Sequence, residues 1–110
     1  MTFRIATWNI NSVRLRVDLV SKLLKNEEID VLCLQECKSP VEKIPLDVFS
    51  ETGFPHLVAR GQKGYNGVAI VSRFPLIEKF AIDFAGLGHA RHIAAQLENG
   101  ITIHNFYIPA

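Results

Sequence analysis

The stretch Asp30-Val31-Leu32-Cys33-Leu34-Gln35-Glu36 is a nearly continuous apolar run that ends in polar residues. Such a run is typical of a strand that is buried on both of its faces. Strands of this kind occur in α/β proteins, where other layers cover both sides of a sheet. The run therefore predicts a central strand in a layered fold.

A strand and a helix precede this run. The segment Phe3-Arg4-Ile5-Ala6-Thr7-Trp8 partly alternates apolar and polar residues, which predicts a strand. Ser12 follows it and is a typical helix N-cap residue. Strand, helix and strand in this order predict two parallel strands joined by a right-handed crossover. The apolar residues at helical spacing after Ser12 are Val13, Val17, Val20 and Leu24.

The rest of the chain predicts one short helix and several antiparallel strands. Leu46 to Thr52 is the candidate helix, closed by Gly53. Asn99-Gly100 is a strong signal for a two-residue hairpin turn. The candidate strands are residues 55–60, 68–72, 77–82, 92–97 and 101–108.

The composition is that of a folded protein, because 48% of the 110 residues are hydrophobic and 21% are charged. This excludes intrinsic disorder. The formal charge of +1 does not indicate a nucleic-acid partner, although residues 1–25 carry five basic residues and one acidic residue. No apolar run approaches the roughly 20 residues of a membrane span, and the N-terminal sequence is unlike a signal peptide. We expect a cytoplasmic protein with no membrane partner.

Two cysteines, Cys33 and Cys37, fit a reducing compartment. On an extended strand they would lie too far apart for a disulfide. A zinc site that combines them with His89 and His92 is an alternative, but residues three apart on a strand point to opposite faces. We therefore interpret Cys33 as a core residue.

Polar residues follow both predicted parallel strands. Trp8-Asn9-Ile10-Asn11 comes after the first strand, and Gln35-Glu36-Cys37-Lys38 ends the second. Both groups should lie at one edge of the sheet, where ligands often bind. The Asn9 amide oxygen and the Glu36 carboxylate are hard donors that suit Mg²⁺ or Mn²⁺. Alternatively, Glu36 is a solvated acid paired with Lys38.

A third polar cluster is the glycine-rich loop Gly61-Gln62-Lys63-Gly64-Tyr65-Asn66-Gly67. Its glycines allow close backbone approach, and Lys63 and Arg60 would supply positive charge to a phosphate. Arg91 could bind phosphate through its fork of donors, and the Tyr107 hydroxyl could donate to a phosphoryl oxygen. Alternatively, Arg91 forms a salt bridge at the rim and Tyr107 is a half-buried strand aromatic.

In order and spacing, these segments resemble the exonuclease III family of apurinic/apyrimidinic (AP) endonucleases, which belongs to the endonuclease/exonuclease/phosphatase superfamily. The agreement extends over essentially the whole chain. The matching pieces are Trp8-Asn9-Ile10-Asn11-Ser12-Val13-Arg14, Leu34-Gln35-Glu36-Cys37-Lys38, Gly64-Tyr65-Asn66-Gly67-Val68-Ala69, Arg91 and Tyr107-Ile108-Pro109.

The resemblance implies an α/β fold, with this chain as the N-terminal part of a four-layered α/β sandwich of two facing mixed sheets and outer helices. It also implies a role for each matching residue. Asn9 and Glu36 would belong to a Mg²⁺ site, with Glu36 the direct ligand and Lys38 beside it. Tyr107 would be catalytic and contact the scissile phosphate. The implied DNA-binding residues are Arg14, Lys63, Tyr65, Asn66 and Arg91.

The implied reaction is hydrolysis of a phosphodiester on the 5′ side of an abasic site in double-stranded DNA. Exonuclease and phosphatase action at 3′ ends would accompany it. A divalent metal would neutralise charge on the phosphoryl group while a general base activates water. Extruding the damaged nucleotide is cheap because nothing pairs with it. The resemblance also implies a monomeric enzyme.

The sequence departs from the family in three respects. His89 replaces the usual acidic residue two positions before Arg91, which affects a secondary polar contact, and Ala110 replaces a frequent Asn. The Asp-x-Asn segment and the Asp–His pair that activate water in the family have no counterpart in this sequence. We therefore expect residues 1–110 to be an incomplete domain, the N-terminal portion of a longer protein, and inactive alone.

Two alternative functions remain. The chain could belong to a phosphoesterase of the same superfamily that acts on phospholipids or inositol phosphates. It could instead be a non-catalytic nucleic-acid-binding fragment in which Glu36 lacks its catalytic partners. The Trp8-Asn9-Ile10-Asn11 segment and the loop from Gly64 to Ala69 favour the DNA branch.

Overall fold

The computed structural model describes residues 3–83 and 86–109, so the departure at Ala110 lies outside the described residues. Every predicted strand is present, with ends that shift by at most two residues. The elements are β1 (Ile5–Asn9), α1 (Val17–Asn26), β2 (Val31–Gln35), α2 (Leu46–Glu51), β3 (His56–Arg60), β4 (Val68–Ser72), β5 (Leu76–Phe80), β6 (His92–Leu97) and β7 (Thr102–Phe106), with a 3₁₀ turn at Val41–Lys43 before α2.

The strands form two sheets. In the first, the order is β1-β2-β4-β3, with β1 parallel to β2 and the other pairs antiparallel. In the second, the order is β5-β6-β7, and in the described part of the chain it is antiparallel throughout. The parallel pair confirms the strand–helix–strand prediction, and the two sheets confirm the α/β sandwich.

The helices and the two sheets pack as successive layers, with β2 between two cores. All five β2 residues are buried, because alternate side chains enter different cores. Leu32 and Leu34 pack with Val20, Leu24 and Phe49 beneath the helices, where each side chain contributes about 1.5–3 kcal/mol. The core between the sheets comprises Val31, Cys33, Val68, Ile70, Ile93, Ala95, Leu97 and Ile103.

The prediction of Ser12 as the helix N-cap is wrong. Helix α1 begins at Val17, and Ser12 has a φ of +83°, outside the extended conformation of an N-cap. Its hydroxyl accepts a hydrogen bond from the Leu15 amide at 3.4 Å and so closes a turn ahead of the helix. The turn is set by tertiary contact, because the Ser12 amide donates to the Glu36 carbonyl at 2.8 Å.

The β6–β7 hairpin is present, but its turn is longer than predicted. The Leu97 amide donates to the Ile101 carbonyl at 2.9 Å, and the Gly100 amide donates to the Leu97 carbonyl at 3.0 Å. Three residues therefore connect the strands instead of two. Gly100 has a φ of +89°, the left-handed position that ends a type I turn with a bulge.

The two cysteines lie on opposite sides of the first sheet. Cys33 belongs to the core between the sheets, which confirms its interpretation as a core residue, and Cys37 belongs to the core beneath the helices. The strand ends at Gln35, so the chain turns between them. A zinc site that uses both thiols is therefore not formed.

In the described part of the chain, neither helix has the length and apolarity that crossing a membrane requires.

We expect both thiols to resist alkylation in the folded protein. Burial raises the pKa of Cys33 to about 11 and the pKa of Cys37 to about 12. At pH 8 the reactive thiolate should therefore be about 100-fold scarcer, or more, than in the unfolded chain. Iodoacetamide labelling at pH 8, followed by mass spectrometry with and without urea, measures this. Equal labelling rates in the two states would contradict the burial.

Candidate metal and phosphate site

The parallel pairing of β1 and β2 brings the first two polar clusters together, as predicted. Asn9 pairs with Gln35 in the register, so the exposed Asn9 lies beside the start of the segment that holds Glu36. The Ile10 amide donates to the Gln35 carbonyl at 3.0 Å, which extends the pairing past the strand end. Asn9 and Glu36 therefore share one edge of the sheet.

Tyr107 reaches this edge from the second sheet. Its hydroxyl donates a hydrogen bond to Glu36 Oε1 at 3.1 Å. Its amide donates to the Arg91 carbonyl at 2.8 Å, which fixes the chain just past β7. The structure thus brings together Glu36 and Tyr107, two predicted site residues that lie far apart in the sequence.

The Tyr107 phenol is held in its protonated form. Partial burial raises its pKa, the hydrogen bond to Glu36 and the charge of that carboxylate raise it further, and the positive charge of Arg91 works in the opposite direction. The hydroxyl is therefore a stable donor at neutral pH. Arg91 and Tyr107 line the same cleft.

The backbone around this edge adopts conformations that are costly for ordinary residues. Among residues 3–83 and 86–109, five non-glycine residues have positive φ, and each costs roughly 1–2 kcal/mol unless its surroundings compensate. Such residues cluster at functional sites, where tertiary contacts hold them in place. Here all five belong to segments joined to one another around Glu36. They are Asn11 (+47°), Ser12 (+83°), Glu36 (+54°), Lys38 (+51°) and Asn66 (+55°).

Lys38 does not neutralise Glu36 in the structure. Its ammonium donates to Asn11 Oδ1 at 2.6 Å, across to the loop after β1. Within residues 3–83 and 86–109, the ion pair that forms joins Arg60 to Glu78 at 3.1 Å. The alternative of a Glu36–Lys38 pair is therefore wrong, and Arg60 is engaged away from the Glu36 carboxylate.

The glycine-rich loop packs against the segment that carries Glu36. A Cβ on Gly61 would lie 2.5 Å from the Ser39 carbonyl oxygen, so only glycine fits there. Gly67 has a φ of +95°, and its carbonyl accepts from the Cys37 amide at 3.1 Å. These two glycines allow close approach between two segments of the protein itself.

The predicted DNA-binding residues differ in exposure. Arg14, Lys63 and Tyr65 are exposed, and Arg91 is half-buried. Asn66 is only 5% exposed, and its Oδ1 accepts from Arg91 Nε at 3.2 Å. Asn66 therefore lies behind Arg91 and does not present its amide to solvent.

A cleft of about 340 Å³ lies beside Tyr107 and Arg91. His89, one of the departures from the family pattern, also lines it, and Phe106 adds an apolar wall. In the described part of the chain, the buried Nδ1 of His89 has no hydrogen-bond partner. The cleft combines the Arg91 cation, the Asp83 carboxylate, a hydroxyl and an apolar surface.

Sequence reasoning missed three amides that support the site. Gln35 Nε2 donates to Thr7 Oγ1 and to Asn105 Oδ1, each at 2.8 Å. Asn105 Nδ2 donates to the carbonyls of Leu34 at 3.0 Å and Ala69 at 2.8 Å, which ties the two sheets together. The sequence signal that could have identified Gln35 and Asn105 is a polar residue at an otherwise apolar strand position. The third amide, on Gln62, sits in the glycine-rich loop.

The donor set at the sheet edge fits a hard divalent cation. The Glu36 carboxylate and the Asn9 amide supply oxygen, which Mg²⁺ and Mn²⁺ prefer. Mg²⁺ commonly binds through one or two carboxylates and keeps several waters. Because Tyr107 donates to Glu36 Oε1, the carboxylate is oriented and its other oxygen remains available to a cation.

The layered α/β fold and this site define a class of phosphoesterases. The chain belongs to the Endonuclease/Exonuclease/phosphatase family, whose model matches residues 6–109. Among solved structures, it is similar to an AP endonuclease from Archaeoglobus fulgidus, with a TM-score of 0.87 and 38% identity, covering 98% of this chain and 42% of that one. The resemblance to AP endonucleases is thereby confirmed.

Two further relatives are a phosphatase and a nuclease. The 3′ phosphatase NExo from Neisseria, solved bound to a product DNA hairpin, has a TM-score of 0.83 and 37% identity, covering 96% of this chain and 41% of that one. Exodeoxyribonuclease III of Haemophilus influenzae is 33% identical over 67 residues, which are 61% of this chain and 25% of that protein. The chain thus spans about two-fifths of these structures and a quarter of this curated relative.

Proposed function

We propose that this chain forms the metal- and phosphate-binding part of a DNA-repair nuclease of the exonuclease III type. The enzyme hydrolyses phosphodiesters at abasic sites and at 3′ ends of double-stranded DNA. The observation that carries the proposal is the 3.1 Å hydrogen bond from Tyr107 to Glu36 at the edge shared with Asn9. The similarity of the chain to an AP endonuclease, to a 3′ phosphatase bound to DNA and to an exodeoxyribonuclease III supports the proposal.

Glu36 and Asn9 would hold Mg²⁺, with Mn²⁺ as an alternative ion. The ion, when bound, neutralises charge on the phosphoryl group. Tyr107 orients the Glu36 carboxylate through the hydrogen bond that its hydroxyl donates. Arg91 adds a positive charge near the phenol, which would stabilise the phosphate oxygens.

The surface around the site would bind the DNA backbone. Arg14, Lys63 and Tyr65 are exposed, and Arg91 lines the neighbouring cleft. Phosphate contacts by such residues fix the position of DNA without reading its sequence.

We place the enzyme in the cytoplasm as a monomer. Because the Asp-x-Asn and Asp–His motifs are missing from the 110 residues, we expect this chain to be inactive alone.

The test is an incision assay with the natural full-length protein on a duplex that contains one abasic site. We expect cleavage on the 5′ side of the site in the presence of Mg²⁺ and none with EDTA. Inositol phosphates and phospholipids are offered in parallel. Selective hydrolysis of those substrates would instead indicate the lipid-directed branch, and metal-independent DNA binding without hydrolysis would indicate a non-catalytic role.

Replacing Tyr107 with Phe should slow incision by roughly 10- to 100-fold, because the hydrogen bond that orients Glu36 is lost. The phenyl ring keeps the packing, so the melting temperature should hardly change. Single-turnover cleavage at saturating Mg²⁺ measures the effect. Ser50→Ala is the control for loss of a hydroxyl group: Ser50 is exposed on helix α2, and its variant should retain a cleavage rate near wild type. A wild-type rate for Tyr107→Phe would remove Tyr107 from the mechanism.

A further inference from the structure

Four residues beside the cleft form a closed circuit of hydrogen bonds. Arg91 Nε donates to Asn66 Oδ1 at 3.2 Å, and Asn66 Nδ2 donates to Gln62 Oε1 at 2.8 Å. The same Gln62 oxygen accepts from the Ala90 amide at 2.7 Å. Ala90 immediately precedes Arg91, so the circuit begins and ends on one short segment.

The two ends of the circuit determine the orientation of both amide side chains. A backbone N–H and a guanidinium N–H can only donate, so each must face an oxygen. Gln62 therefore presents its oxygen to Ala90, and Asn66 presents its oxygen to Arg91 and its NH₂ to Gln62. An apolar side chain at either amide position breaks the circuit.

Asn66 also connects the circuit to the segment that carries Glu36. Its carbonyl accepts from the Lys38 amide at 2.9 Å, and the next amide, of Gly67, donates to the Ala90 carbonyl at 2.8 Å. Its φ of +55° is a conformation that glycine adopts at less cost. What the asparagine adds over glycine is a side chain that binds both Arg91 and Gln62.

The circuit occupies Nε of Arg91 and leaves its two terminal nitrogens for a ligand. Those nitrogens form the planar fork that binds two oxygens of one phosphate. Arg91 lines the cleft together with Tyr107, which binds Glu36. We propose that Asn66 and Gln62 are positioning residues that hold Arg91 for bidentate contact with a DNA phosphate at this cleft. The inference rests on the proposed function.

The test measures binding of a fluorescent abasic-site duplex by the natural full-length protein, without metal and over a range of salt concentrations. Asn66→Gly removes the amide and tolerates the positive φ, and Gln62→Met removes the accepting oxygen at similar size. Each should raise Kd by about 3- to 10-fold, because Arg91 must then be ordered on binding. Arg91→Ala should weaken binding further and lower the salt slope by about one phosphate contact.

The decisive comparison is made in the Arg91→Ala background. If Asn66 and Gln62 act through Arg91, their variants should have no further effect there. Lys63→Ala is the matched control: Lys63 is exposed in the same loop, and its loss should weaken binding by the same factor in both backgrounds. Equal losses for Asn66→Gly in both backgrounds would indicate a general structural role and overturn the inference.

A second measurement does not depend on DNA. The Arg91 Nε–H group should give a slowly exchanging NMR signal in the wild type, and Asn66→Gly should abolish the slow exchange. If the wild type binds the duplex and both amide variants bind it equally well, the positioning inference fails while the proposed function stands. If the wild type does not bind DNA at all, both fail.

Discussion

Replacing Glu36 with Gln should reduce metal-dependent cleavage by roughly 10³-fold or more, about 4 kcal/mol of transition-state stabilisation. The substitution keeps the size of the side chain and the oxygen that accepts from Tyr107. It removes the negative charge that a divalent cation requires.

The measurement pairs the cleavage rate with Mg²⁺ affinity from titration calorimetry. Both should fall for Glu36→Gln, while the melting temperature stays close to that of the wild type because Glu36 is only partly buried. Glu42→Gln is the matched control, since Glu42 is exposed in the 3₁₀ turn at Val41–Lys43. A variant that cleaves at the wild-type rate with unchanged Mg²⁺ dependence would show that Glu36 does not bind the metal.

The sheet edge that carries the candidate metal site could be predicted because it depends on strand order and little else. The apolar run at Val31–Gln35 predicted a strand buried on both faces, and the upstream strand and helix predicted its parallel neighbour. Parallel pairing then places Asn9 and Glu36 at one edge whatever the loops do. The resemblance assigned Glu36 and Tyr107 to one active site, but the hydrogen bond between them was not predicted, since two sheets must pack to create it.

Local signals failed where tertiary contacts set the backbone. Ser12 has the side chain of an N-cap, but its amide binds the Glu36 carbonyl and its φ is positive, so the helix starts five residues later. At the hairpin, Asn99-Gly100 suits a two-residue turn and a three-residue turn alike, because each can place Gly100 in a left-handed conformation. The residues alone do not distinguish the two turns.

The supporting amides could not be identified because their partners are distant in the sequence. In the sequence, Asn66 and Gln62 are polar residues of a loop. In the structure, Asn66 binds Arg91, 25 residues away, and Gln62 binds the Ala90 amide, 28 residues away. The resemblance had implied that Asn66 binds DNA itself. Asn105 lies 70 residues from Gln35, and only the packing of the two sheets brings them together.

The second large effect should come from Asn105, whose side chain is 2% exposed between the sheets. Asn105→Leu keeps a similar volume and removes three buried hydrogen bonds, one from Gln35 and two to the carbonyls of Leu34 and Ala69. At about 0.5–1.5 kcal/mol for each lost hydrogen bond, we expect a loss of roughly 3 kcal/mol. The melting temperature of the natural full-length protein should fall by roughly 10 °C.

The same substitution should slow cleavage in the molecules that remain folded, because Asn105 precedes Tyr107 by two residues and fixes the end of β7 against the first sheet. Urea denaturation gives the stability loss, and cleavage at 10 °C gives the effect on the site. Asn26→Ala, at the exposed end of α1, should change stability by less than about 0.5 kcal/mol. If Asn105→Leu matches that control in stability, the buried amide does not hold the sheets together, and other contacts, such as the hydrogen bond from the Tyr107 amide to the Arg91 carbonyl, must orient Tyr107 toward Glu36.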